Sequence, residues 1–170
     1  MKKLIVFLFT IVVLISLFSS TENNVLIPTN SIRFRIIANS NNIKDQEIKL
    51  SIKQELEPLI KEILENSDSL LETKTSIEKN MDNFKNIIEK YNVNYEINYG
   101  NNYFPEKEYK GVTYPSGNYE SLVITLGSGL GENWWCVLFP PLCLLEAEES
   151  QSLDITYSSY IKEIIDKYSN

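Results

Sequence analysis

The chain lacks histidine and has only two arginines among its 170 residues. The absence of histidine excludes the Ser-His-Asp and Cys-His mechanisms and removes the commonest transition-metal ligand. The 23 acidic side chains outnumber the 16 basic ones and give a net charge of −7. Because a nucleic-acid-binding protein needs a basic face to neutralise phosphates, we expect no nucleic-acid partner. Carboxylates, lysine, serine or a lone thiol remain as catalytic groups.

One long apolar run stands at the start of the chain. It covers residues 4–18 and follows Lys2 and Lys3, an arrangement typical of a secretory signal. About fifteen residues at 1.5 Å each give about 22 Å, less than the ~30 Å hydrocarbon core, which favours a removed signal over a permanent anchor. We therefore predict an exported protein. Residues 1–21 would be its signal peptide or N-terminal anchor and its only contact with a membrane.

Cysteine is as scarce as arginine. Cys136 and Cys143 lie seven positions apart, on either side of Pro140 and Pro141. An even cysteine count in an exported chain permits a disulfide, and two buried reduced thiols are the alternative. Two cysteines at this spacing lack the two close ligand pairs of the usual zinc site. The sequence thus predicts no metal and no cofactor.

The rest of the chain predicts a linker at residues 22–31 and a single α/β domain at residues 32–170. Strict alternation from Ile32 predicts a strand with one apolar face. Helical spacing predicts three helices. The first covers residues 43–65 with a kink at Pro58, and the second runs from the break at residues 66–68 to about Asn92. The third covers residues 155–168. Alternation with period two predicts a strand at residues 93–99 that ends at residues 100–102. One or two further strands are predicted within residues 108–126, with residues 122–126 in a central strand.

These elements predict a fold class. It is α/β: a small mixed β-sheet packed by two or three amphipathic helices, after an N-terminal signal segment. The loop GSGLG at residues 127–131 is a poor phosphate-binding candidate. Such a loop needs a following helix whose amides hold the anion, and residues 133–136 do not predict one, so a flexible turn is favoured.

The catalytic alternative is a pair of carboxylates. Glu120 with Glu132 or Glu146 would suit a cell-envelope hydrolase acting on wall glycan, if a cleft held the two groups at a defined separation. The acidic run of Glu146, Glu148 and Glu149 is more typical of a solvated loop. A purely structural envelope protein is a third interpretation.

The segment NWWCVLFPPLC at residues 133–143 is the most unusual part of the sequence. In a strand, Trp134 and Trp135 point to opposite faces, so both are buried only if both faces are covered. One interpretation buries one tryptophan in the core and leaves the other half-buried beneath the last helix. The other is an exposed aromatic-proline surface that anchors a partner protein.

Two stretches of the domain carry recognisable motifs. Residues 32–53 contain a strand ending in Ala-Asn-Ser and then Asp-Gln-x-x-Lys-Leu, and residues 114–143 contain Tyr-Pro-x-Gly-x-Tyr-x-x-Leu followed by the Trp-Trp-Cys segment. In these motifs the sequence resembles the stage II sporulation protein R family of endospore-forming bacteria, with Ser116 where alanine is usual. The resemblance covers residues 32–143, whereas residues 65–109 within it carry no comparable motif.

The resemblance implies a protein that is made in the forespore and exported into the space between the two surrounding membranes. There the family triggers a membrane-embedded aspartic protease in the facing membrane, which cleaves the precursor of the mother-cell sigma factor. The protein would be an activating ligand and not an enzyme, and such a ligand acts only through better binding to the active receptor state. From side-chain composition we predict these partner-binding residues: Asn39, Ser40, Asn133, Trp134, Trp135, Phe139, Pro140 and Pro141.

Overall fold

The computed structural model describes residues 25–109, 112–143 and 157–168. The strands in these ranges are β1 (Val25–Leu26), β2 (Ile32–Ile37), β3 (Tyr95–Phe104), β4 (Lys107–Tyr109), β5 (Val112–Tyr114), β6 (Gly117–Leu126) and β7 (Asn133–Phe139). The helices are α1 (Ile43–Glu65), α2 (Leu70–Lys79), α3 (Met81–Glu89) and α4 (Tyr157–Tyr168). None of these helices is long and apolar enough to cross a membrane. The predicted signal segment lies outside the described residues.

The strands form two sheets. The larger sheet has the order β3-β6-β2-β7, with β2 parallel to β6 and antiparallel to β7, and β3 antiparallel to β6. The smaller sheet has the order β1-β5-β4. This arrangement confirms the predicted α/β fold with a mixed sheet, and it confirms that residues 122–126 belong to a central strand.

The main core lies between the larger sheet and helices α1 to α3. Alternate residues of β2 (Ile32, Phe34 and Ile36) enter it, because successive side chains of a strand point to opposite faces. Each fully buried aliphatic or aromatic side chain contributes about 2 kcal/mol relative to an exposed one. The buried members are Ile32, Phe34, Ile36, Ile52, Leu56, Ile60, Ile63, Leu64, Ile77, Phe84, Ile88, Leu122, Ile124, Leu126, Cys136, Leu138 and Phe139.

The opposite face of the larger sheet is also covered. The smaller sheet and α4 supply a second buried cluster whose members are Ile27, Val112, Tyr114, Val137, Leu142 and Ile161. A third cluster of Phe104, Tyr119 and Val123 adjoins it. Since both faces of β2 and β7 are covered, the side chains that alternate along these strands are buried or half-buried on either side.

The structure differs from the prediction in the second helix and the second strand, and it has three strands, β4, β5 and β6, where one or two were predicted. The second predicted helix is two helices, because Asn80 ends α2 and begins α3, and its side-chain amide donates to the Ser76 carbonyl (2.9 Å). Residues 100–102 do not close the second strand. They continue β3 to Phe104 in register with β6, where the Asn102 amide donates to the Ser121 hydroxyl (3.0 Å).

The structure also shows the outcome for the predicted linker, the predicted kink and the predicted last helix. The described part of the predicted linker, residues 25–31, packs on the domain, because β1 pairs with β5 and Ile27 is fully buried. The helix α1 runs on through Pro58 to Glu65. The predicted last helix is present as α4, and residues 155 and 156 of that prediction lie outside the described part.

The two cysteines form a disulfide. Cys136 in β7 is bonded to Cys143, with the Cα atoms 5.3 Å apart. The loop between them folds back on β7, where the amides of Leu142 and Cys143 both donate to the Val137 carbonyl (3.1 Å each). Of the two alternatives left open by the sequence, the structure has the bridge.

We expect the double substitution Cys136→Ser and Cys143→Ser to lower the free energy of unfolding by about 2–3 kcal/mol, because the bridge restricts a short loop in the unfolded chain. Urea unfolding followed by tryptophan fluorescence measures this change. The unmodified protein in reductant should match the double variant, and the variant itself should not respond to reductant. Equal stability of the oxidised protein and the variant would contradict the prediction.

Candidate functional site

The Ala-Asn-Ser and Asp-Gln motif forms one hydrogen-bonded cluster at the end of β2. The Asp45 carboxylate accepts from Asn39 Nδ2 (2.8 Å), Ser40 Oγ (2.6 Å) and Asn42 Nδ2 (2.9 Å). Asn42 in turn caps α1, because its side-chain oxygen accepts from the Asp45 amide (2.8 Å). Hydrogen bonds from Ser40 and Asn39 hold the pKa of Asp45 below its usual value.

The glycine-rich loop closes on this cluster. The Ser128 amide donates to Asn39 Oδ1 (2.9 Å), and the Ser128 hydroxyl donates to the Asn39 carbonyl (2.8 Å). The Glu132 amide donates to Asn41 Oδ1 (2.6 Å). Residues 39–45 and 127–132 together are called the loop joint below. β7 follows the glycine-rich loop, so the loop is a turn between strands, as predicted, and does not lead into a helix of its own.

Two glycines are required where the loop joint is tightest. Gly127 has a positive φ of 56°, and a Cβ there would overlap the Asn39 side chain. A Cβ on Gly131 would overlap the backbone carbonyl of Ser40. Both positions therefore need glycine for space, and Gly127 needs it for its backbone conformation as well.

The remaining polar residues of the first motif tie α1 to the loop joint. Lys49 is buried, and its ammonium donates to the Glu132 carbonyl (3.0 Å) and to Gln46 Oε1 (2.6 Å). The Gln46 amide donates to the Ser40 carbonyl (2.9 Å). Burial lowers the pKa of Lys49. The structure thus uses Asn39 and Ser40 in internal contacts, and their partner-binding role stays a prediction.

The Tyr-Pro-x-Gly-x-Tyr motif holds a buried cation. The Pro115 carbonyl accepts from the Tyr119 hydroxyl (2.9 Å) and from Arg33 Nη2 (3.2 Å). The Arg33 guanidinium lies 3.4 Å from the centre of the Tyr119 ring and is fully buried. Its Nε and Nη1 have no hydrogen-bond partner in the described ranges. Burial lowers the pKa of Arg33, but arginine stays charged in proteins.

The two tryptophans point to opposite faces of β7, as predicted. Trp134 meets Phe34 edge-to-face (ring centres 5.6 Å apart), and the Lys53 ammonium lies 5.1 Å from its ring. Trp135 packs on the other face against Phe104 (5.7 Å) and near the cluster that contains Ile161 of α4. Both rings are half-buried.

The other predicted partner-binding residues differ in exposure. Asn133 is exposed and Pro141 is half-buried. Phe139 is 6% exposed and meets Tyr168 of α4 edge-to-face, and Pro140 is buried as well. The predicted exposed aromatic-proline surface is therefore wrong for Phe139 and Pro140, because α4 and the disulfide loop cover this end of β7. Whether the segment binds a partner stays a prediction.

A pocket of about 260 Å³ opens beside Trp135 on the face opposite α1 to α3. Arg35 lies at its base, with its guanidinium 4.6 Å from the centre of the Phe104 ring. The Lys107 ammonium lies 4.9 Å from the Trp135 ring at its side. Sequence reasoning missed this group. The sequence feature that could have indicated this group is the pair of arginines on one face of β2. Alternation alone does not show whether that face is covered. The lining residues are Arg35, Phe104, Pro105, Glu106, Lys107, Asn133 and Trp135.

The proposed carboxylate pair does not exist for Glu120 and Glu132. Ser121, next to Glu120, lies opposite Arg33, whereas the Glu132 carbonyl accepts from the Ala38 amide. Five residues of strand separate the two backbone positions, about 17 Å at ~3.3 Å per residue, whereas the carboxyl groups of a glycosidase pair lie at most ~9.5 Å apart. Glu120 instead pairs with Lys74 (2.7 Å).

The other acidic candidates, Glu146, Glu148 and Glu149, lie outside the described residues. Within the described ranges there is no group of three His, Cys, Asp or Glu side chains that could hold a metal ion.

A family model matches the part of the chain that contains the loop joint, the buried arginine and the disulfide. The model is that of stage II sporulation protein R, and it matches residues 28–149. The chain belongs to this family. It is 37% identical over 140 residues to stage II sporulation protein R of Bacillus subtilis (strain 168). That match covers 79% of this chain but 62% of the relative, so it spans less than two thirds of the relative's length. No solved structure matches the chain.

We expect Gly131→Ala to lower the free energy of unfolding by about 2 kcal/mol, because the new methyl group would press on the Ser40 backbone, which cannot move without breaking the loop joint. Gly100→Ala is the matched control, since a Cβ there makes only ordinary contact with Asn98 in β3. Urea unfolding compares the two variants. Equal effects at both positions would show that the loop joint tolerates the extra atom.

We expect Asp45→Asn to lower the melting temperature at pH 7. The folded-state pKa of Asp45 is depressed, so the stability it contributes is present above its ordinary pKa of 3.8 and is lost as the pH falls through the lower folded value. The difference between the unmodified protein and the variant should therefore shrink below pH 3.8. Asp82→Asn, in the first turn of α3, is the control. A difference that is constant from pH 7 to acid would contradict the charge-based account.

Proposed function

We propose that this chain is an exported signalling protein of sporulation that activates a membrane-embedded aspartic protease, which then cleaves the precursor of the mother-cell sigma factor. It is made in the forespore and acts from the space between the two membranes. The observation that carries the proposal is membership of the stage II sporulation protein R family over residues 28–149. The apolar run at residues 4–18 supports export.

The chemistry of the described surface supports a binding role over a catalytic one. The carboxylate pair that a wall hydrolase would use is too widely spaced at Glu120 and Glu132. The half-buried Trp135, the exposed Asn133 and the neighbouring Lys107 instead form a surface with an aromatic centre and polar edge. Such surfaces are typical of protein interfaces.

The rigidity of this surface also supports a ligand that acts by binding. Asn133 and the tryptophans stand on β7, which the disulfide closes at one end and the loop joint holds at the other. A preorganised surface loses little conformational entropy when it binds. Its binding free energy is then available to favour the active state of the receptor.

The deciding experiment is co-expression of the full chain with the cognate membrane protease and the sigma-factor precursor, with precursor cleavage as the readout. We expect cleavage with the full chain, and none when the chain lacks residues 1–21 and stays inside the producing cell. Folded, exported protein that leaves the precursor intact in the presence of its protease would overturn the proposal.

A further inference from the structure

Both arginines of the chain lie on one face of β2, opposite the three helices that follow it. Arg33 is buried deep in this face, and Arg35 is half-buried at its edge, in the pocket beside Trp135. The ion pairs among the described residues involve lysines only, at positions 53, 61, 74, 85 and 90. Within the described part of this acidic protein, two arginines are thus held on one face without a carboxylate partner.

The pocket also leaves a buried donor without an acceptor. The Nε atom of Arg35 is buried and makes no hydrogen bond to any described residue. The guanidinium carbon lies 4.6 Å from the centre of the Phe104 ring, so the cation packs against an aromatic side chain of the pocket lining. A buried N–H group without an acceptor is unfavourable, so an acceptor that enters the pocket gains a hydrogen bond that the free protein lacks.

A second cation stands at the pocket mouth. The exposed Lys107 contacts the Trp135 ring and forms no ion pair among the described residues. Glu106 lies on the same rim and is also absent from those ion pairs. The lining therefore carries two positive charges and one negative charge, a surplus of one positive charge. This surplus matches one singly charged anion.

The shape of the lining favours a carboxylate over a phosphate. Phe104 and Pro105 supply no side-chain donors to a tetrahedral anion, and Trp135 adds a single indole N–H. A planar carboxylate can meet the edge of the Arg35 guanidinium with two parallel hydrogen bonds, while its aliphatic arm lies between the rings. Acidic side chains of proteins have this form, a carboxylate on a short methylene arm.

We propose that this pocket is a recognition site for an acidic side chain of the partner protein, with Arg35 binding the carboxylate and Lys107 and Trp135 framing it. The identity of the partner rests on the proposed function, whereas carboxylate binding is a property of this chain alone. The nearby Asn133, exposed at the start of β7, places the site on the segment that the sequence singled out.

The test is a nuclear magnetic resonance titration of the exported protein with N-acetylglutamate amide as the probe. N-acetylglutamine amide is its uncharged counterpart, and inorganic phosphate is added at equal ionic strength as a second comparison. We expect the glutamate probe to shift the Nε–H signal of Arg35 and the indole signal of Trp135 saturably, and the other two to leave both in place. Equal shifts with the glutamine probe, stronger shifts with phosphate, or none with glutamate would each overturn the proposal.

Two lysines give a matched pair of variants. Lys107→Gln removes the cation beside Trp135, and Lys53→Gln removes the equivalent cation beside Trp134 on the other face of the sheet. We expect Lys107→Gln to weaken the probe about two- to fivefold, the effect of losing one exposed ion pair, and Lys53→Gln to have no effect. Arg35→Gln should abolish the saturable shift, with an unchanged Trp134 indole signal as evidence of the native fold. Equal effects of the two lysine variants would count against the site.

The same variants in the co-expression assay connect the pocket to the partner. If the unmodified chain triggers cleavage, Arg35→Gln and Lys107→Gln should reduce it and Lys53→Gln should not. If the unmodified chain triggers none, the proposed function fails while the titration still decides the carboxylate site. Full cleavage with Arg35→Gln would show that the partner does not use the pocket.

Discussion

The pairing of β2 with two different strands is the constraint on which the rest of the structure depends. β2 lies parallel to β6 on one side and antiparallel to β7 on the other. A parallel neighbour requires a long crossover connection, and helices α1 to α3 with β3 occupy that interval. Because β2 is in the middle of the sheet, it must also be covered on both faces. The second layer of β1, β4, β5 and α4 meets this requirement.

The side chains of the family motifs mostly make hydrogen bonds and packing contacts within the molecule. Asn39 and Asp45 fix the end of β2 to the start of α1, and Ser128 closes the glycine-rich loop over them. Tyr119 and the Pro115 carbonyl hold Arg33. This pattern of small and polar residues thus secures the frame that presents Trp135 together with Arg35 and Lys107.

Period and composition were sufficient to predict β2, α1, the central strand and the opposite orientation of the two tryptophans. They failed where a tertiary contact overrides the local pattern. Ile77, Met81 and Phe84 keep helical spacing across Asn80, so the break there has no apolar signal. Gly100 and its asparagine neighbours have the composition of a turn, but in the structure they pair with β6. Alternation gives β2 one apolar face, but it does not show that a second layer covers the face that carries the arginines.

The second buried cluster joins residues from nearly opposite ends of the described chain: Ile27 precedes β2, whereas Ile161 lies in α4. During synthesis, the ribosome makes Ile27 long before Ile161 exists, and β2 must likewise await β6 and β7. Long-range pairing of this kind slows folding and delays it until most of the chain is available. The second buried cluster, which covers the outer face of β2 and β7, is therefore complete only after α4 has been synthesised.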